Sequence, residues 1–178
     1  MDLGLFLWVL ARVAGLTSFV ALSISLLTGL ALRTAVLDWL GSNRALRSTH
    51  EYTAVLWIPL GLLHLGSLVL DQTARIRPVD LFVPFLVPYG TLPIALGTVA
   101  FELFAVVAVT GWLRRRLRVG LWQWLHRLSY AAFALLFLHA VLGGTDFSDP
   151  LVSAFTWSLA AVLGTLSLAR LLWGRLPA

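Results

Sequence analysis

Apolar residues run through this chain in long blocks, broken by short polar or proline-rich stretches, and each block is as long as a bilayer crossing. Residues 3–32 are interrupted by a single charge, Arg12, and the uncharged stretch Val13–Leu32 is long enough to span alone. Further blocks follow, and the pattern predicts five helices over about 8–32, 50–70, 92–113, 121–142 and 151–173. The breaks between them carry turn chemistry. Residues 33–49 hold Arg33, Arg44 and Arg47 with Gly-Ser-Asn at 41–43, and Gly-Gly-Thr-Asp at 143–146 closes the fourth block. Residues 71–91 hold Asp71, Arg75, Arg77 and Asp80 with Pro78, Pro84 and Pro88, a proline density that predicts a structured external loop dipping toward the interface. A signal peptide would start with positive residues, whereas Asp2 stands here, so the first block is expected to be a retained helix.

Composition turns this pattern into a class. Mean hydropathy is +0.91 and 12% of residues are charged, against roughly 25% in soluble domains. The expected fold is an all-α integral membrane protein with no soluble domain. Cysteine is absent and Met1 is the only methionine, which excludes disulfides, iron–sulfur clusters and internal thiolate or thioether ligands. All 13 basic residues are arginines, and they read as topology determinants, not as a surface for nucleic acid. Arg114, Arg115, Arg116 and Arg118 follow the third block, with Trp122 and Trp124 at headgroup level. Arg170 and Arg175 end the fifth. Five crossings put the arginine-rich breaks 33–49 and 114–120 and the C-terminus on one face. The positive-inside rule makes that face cytoplasmic and the N-terminus external.

The histidines carry the candidate chemistry. All four lie on two blocks: His50 and His64 on the second, His126 and His139 on the fourth. Both helices run in the same direction, so the pairs fall at matching depths. Two histidines on each of two apolar helices is a layout for two haems, one above the other. The 14-residue step from His50 to His64 covers about 21 Å and returns to nearly the same helix face. The 13-residue step from His126 to His139 covers about 20 Å but misses one face by about 140°. A tightened or kinked turn, or haems displaced sideways, would reconcile the two. The competing readings are histidines acting as helix-packing donors, and a non-haem metal site of His50, His126 and Glu51, which leaves His64 and His139 unexplained. Glu102, near the middle of the third block, is either a proton or quinone contact or an acid hydrogen-bonded within the protein.

The stretch ALGTVAFELFAVVAVTGWLRRRLRVGLWQWLHRLSYAAFALLFLHAVLGGTD, with its arginine loop, His-Arg-Leu-Ser-Tyr and the His before Gly-Gly-Thr-Asp, resembles the ferric reductase-like transmembrane domain. Ferric reductases, NADPH oxidases and the haem-binding membrane subunit of a bacterial methionine sulfoxide reductase system share that domain. The likeness runs from Leu10 to about Pro150, and residues 1–178 are read as one such domain. It implies an inner b-type haem on His50 and His126 and an outer one on His64 and His139. Electrons would pass from the cytoplasmic side of a bacterial inner membrane to an acceptor outside. The resemblance, with depth counted along the first helix, also implies that Arg12 contacts an outer-haem propionate.

The family's large enzymes have six spans and a cytosolic flavin and nicotinamide domain. Here one N-terminal span has no counterpart, no G-x-G-x-x-G occurs, and five residues follow Trp173. The expected donor is therefore a separate reductase protein or a membrane quinol, and the chain would be an oxidoreductase-type subunit. Other readings are a haem anchor feeding a periplasmic oxidoreductase, and a haem-less scaffold or transporter.

Overall fold

The computed structural model describes residues 2–173, all of whose long elements are helices. Helices α1 (Leu3–Ala31), α2 (Asn43–Leu70), α3 (Thr91–Trp112), α4 (Val119–Gly143) and α5 (Pro150–Trp173) are each long and apolar enough to cross a membrane. They fall into two compact units, residues 2–70 with 150–173, and residues 71–149. Arg175, placed at the end of the fifth block, lies outside the described residues.

In the first unit α1 packs along α2 and also touches α5. Lipid tails are as apolar as leucine, so helices in a bilayer gain little from hydrophobic contact and rely on close backbone approach. Helix α1 provides it with a buried row at heptad spacing: Ala11, Ala14, Ser18, Ala21, Ser25 and Thr28. Hydroxyls in the helices return to the backbone one turn earlier, as Ser23 Oγ does to the Phe19 carbonyl (2.8 Å) and Ser67 Oγ to that of Leu63 (2.7 Å). Asp2 caps α1, its Oδ1 accepting from Gly4 N at 3.3 Å, so the acid that argued against a signal peptide is a helix N-cap.

Helix α2 starts seven residues before the apolar block at 50. Ser42 caps it, with Oγ accepting from Ala45 N (3.3 Å), and the polar turn carrying Arg44 and Arg47 is already helical. His50 is thus well inside a helix and not at its entry. Pro59 lies between His50 and His64 inside α2 and removes the N–H that would bond the Val55 carbonyl.

In the second unit α3 and α4 form a hairpin joined through an arginine turn, with Ala95, Ala100 and Phe104 of α3 and Ala132, Phe133 and Phe137 of α4 buried. The preceding loop is irregular apart from a 3₁₀ turn at Pro78–Leu81. Buried Asp80 receives two hydrogen bonds from the Arg77 side chain (Nη2 to Oδ1 2.8 Å, Nε to Oδ2 3.2 Å) and one from Arg77 N (2.9 Å). Thr98 Oγ1 of α3 donates to the Asp80 carbonyl at 3.3 Å and ties the turn to the helix. Around this latch Phe82, Val83, Phe85 and Leu86 are exposed, as suits a loop resting at the membrane interface.

Candidate functional site

Three of the four histidine rings are held in the same way. Nδ1–H of His64 donates to the Ala11 carbonyl at 2.8 Å, that of His50 to the Ser25 carbonyl at 2.8 Å, and that of His139 to the Pro93 carbonyl at 2.7 Å. A carbonyl oxygen only accepts, so Nδ1 carries a proton, and in the neutral imidazole Nε2 is then the basic, unprotonated nitrogen. Ser25 Oγ lies 3.3 Å from the His50 Nδ1 and shares its proton.

Four residues after each accepting carbonyl stands a glycine: Gly15 after Ala11, Gly29 after Ser25, Gly97 after Pro93. In a helix the Cβ tilts toward the N-terminus, so residue i+4 overhangs the carbonyl of residue i. With glycine there, the imidazole occupies that space. An added Cβ would lie 2.9 Å from His64 Nδ1 at Gly15, 3.1 Å from His50 Cε1 at Gly29, and 2.6 Å from His139 Nδ1 at Gly97.

His126 has a different setting. Its ring stacks on Trp122 one turn earlier, with centroids 5.4 Å apart and planes 23° apart. Helix α4 runs unbroken through both of its histidines, so no tightened turn absorbs their 13-residue step. Gly29 follows Gly15 by 14 residues, and Gly111 follows Gly97 by the same interval. The short histidine step accordingly leaves Gly111 with nothing within 4 Å of an added Cβ. The glycines escaped the sequence reading, although their spacing repeats that of His50 and His64.

Arg12 follows Ala11, whose carbonyl holds the His64 ring. Its guanidinium lies 4.1 Å from the centroid of the Trp8 ring. Glu102 is half-buried in mid α3. Among the described residues no three or more His, Asp or Glu side chains gather as a metal-ion site, which gives the His50, His126 and Glu51 alternative no support.

The donor set fits a haem iron. Iron-ligating imidazoles present one unprotonated nitrogen and donate the other ring N–H to a carbonyl or carboxylate, as His50, His64 and His139 do. Trp122 Nε1, beside His126, is buried with no acceptor among the described residues and suits an anionic group such as a propionate. The helices and side chains define a multi-pass helical membrane protein with oriented histidines. No family model, no curated protein and no solved structure matches the chain.

Proposed function

We propose that the protein moves electrons across a membrane as the haem subunit of a ferric reductase-like system. His50 and His126 hold an inner b-type haem, and His64 and His139 an outer one. The observation that carries this reading is the shared state of His50, His64 and His139, each with Nδ1–H fixed on a carbonyl and Nε2 left basic. A packing histidine needs only one hydrogen bond and no particular tautomer, so the repetition favours ligation. Bound haem supplies a one-electron couple. His50, His64, His126 and His139 would hold it, the Nδ1 bonds of His50, His64 and His139 would raise the basicity of the Nε2 atoms offered to it, and the apolar helices would exclude water.

Electrons enter from a cytoplasmic reductase protein or from membrane quinol and leave to an acceptor outside, which includes a periplasmic oxidoreductase. This orientation, with the N-terminus out and the C-terminus in the cytoplasm of a bacterial inner membrane, is supported by exposed arginines. Arg33 follows α1, Arg44 and Arg47 lie in the first turns of α2, and Arg114, Arg115, Arg116 and Arg118 lie at the α3–α4 turn. The test is the absorption spectrum and haem-to-protein ratio of the purified chain. A low-spin b-type spectrum with two haems per chain is the expected result. A folded, colourless protein would instead be a scaffold or transporter.

A further inference from the structure

We propose that Gly15, Gly29 and Gly97 are positioning residues, each leaving room for a neighbouring imidazole to reach a helix carbonyl and thereby fixing which histidine nitrogen is offered to a ligand. The inference rests on the haem reading for its consequences at iron, but its geometry stands on the chain alone.

Glycine inside a helix is less favourable than alanine, so a helical glycine calls for a local reason. Backbone conformation does not provide one. Positive φ occurs at Gly41 and Gly90 among the described glycines, and both lie outside helices. The nearest neighbours of an added Cβ do provide one: at all three positions they are atoms of a histidine ring. Contacts of 2.6 and 2.8 Å to Nδ1 and Cε1 of His139 leave no room for a methyl group at Gly97. At Gly15 the contacts with His64 are 2.9 and 3.2 Å, and at Gly29 those with His50 are 3.1 and 3.2 Å. The ring therefore has to slide away from its carbonyl at Gly97 most and at Gly29 least.

Loss of the Nδ1–H bond removes the fixed tautomer and lowers the basicity of Nε2. A less basic axial nitrogen stabilises the ferric state less, so the midpoint potential of the affected haem rises and its retention falls. Altered outer partners of metal-bound histidines typically cost 10- to 100-fold in affinity, or about that factor at the most crowded site here.

The experiment compares full-length Gly97→Ala, Gly15→Ala and Gly29→Ala with wild type, and with Gly111→Ala as the control on the same repeat but with open space around it. Two readouts are taken. One is haem retention and the midpoint of each haem. The other is the ¹⁵N spectrum of the histidine rings in haem-free protein, which reports the Nδ1–H tautomer directly.

The expected result is a graded effect, Gly97→Ala above Gly15→Ala above Gly29→Ala, with Gly111→Ala like wild type. Gly97→Ala and Gly15→Ala should move the same haem, and Gly29→Ala the other. Wild-type protein with two haems whose retention, midpoints and ring tautomers survive all three substitutions would overturn the positioning role and leave the haem reading intact. Wild type without haem, whose Nδ1–H signals are nevertheless lost in the matching variants, would overturn the haem reading and uphold the positioning role.

Discussion

Replacing His64 with leucine separates a ligand from a packing donor. The substitution removes one imidazole and its 2.8 Å bond to the Ala11 carbonyl, at similar side-chain bulk. That carbonyl keeps the helical N–H of Gly15, so no buried backbone acceptor is stranded. Hydrogen bonds between helices in a bilayer average about 0.6 kcal/mol and reach about 1.7 kcal/mol. The haem-free fold should therefore lose on the order of 1 kcal/mol, a small part of the ~5–15 kcal/mol typical of folded proteins. On the proposed function a haem iron would, in contrast, lose one of its two histidine ligands. Haem content should fall from two per chain to one while the protein stays folded.

The assay pairs a haem-to-protein ratio on purified protein with denaturant unfolding of the haem-free form. His139→Leu should remove the same spectral component, the double variant should remove no more, and His50→Leu should remove the other. Unchanged haem content in His64→Leu would refute the ligand assignment. So would a haem-free variant that loses several kcal/mol of stability, because the histidine would then be a packing donor.

Further outcomes are expected elsewhere. Arg12→Ser should lower the midpoint of one haem with both haems retained. The Trp8 contact, of a kind that contributes about 0.5–1 kcal/mol at exposed sites, is weak enough to yield to a propionate, and two unchanged midpoints in a redox titration would leave Arg12 an interface anchor. A reporter fused after Ala178 should be active only if it works in the cytoplasm, and activity from a periplasm-only reporter there would reverse the inner and outer labels. The Arg77 hydrogen bond holds the Asp80 carboxyl below the usual range near 3.9. A depressed folded-state value contributes stability that is present above the unfolded value and lost as pH falls through the folded one. Hydrogen exchange across 77–82 should thus rise on acidification below about pH 4. Arg77→Ala should make the segment exchange rapidly already at neutral pH, and an unchanged neutral rate would show that the latch is idle.

The apolar blocks made the helices legible because length and hydropathy are properties of each segment alone. Boundaries shifted where a helix outlasts its apolar stretch. Asn43–Thr49 is polar and sits outside the block, yet Ser42 caps it and the backbone continues into α2. The histidines were legible as candidates because few residue types in a span can bind a metal. Their orienting partners were hidden, because a carbonyl has no letter in the sequence and a glycine becomes meaningful only once the antiparallel register is known. Ala11 meets His64, and Ser25 meets His50. The 14-residue interval shared by the glycine pairs was the available signal. The 13-residue step to His139 puts His126 on a different face, because α4 runs unbroken through both histidines.

Each orienting carbonyl belongs to the helix that precedes its histidine in the same hairpin, and this bears on biogenesis. Chain synthesis delivers α1 before α2 and α3 before α4. Ala11 and Ser25 are therefore already in a helix when His64 and His50 arrive, and Pro93 is when His139 does. The imidazoles of the first hairpin can settle into their final tautomer before the ribosome has made α4. These three rings are then oriented by the chain alone, and on the proposed function haem would be inserted last without turning them.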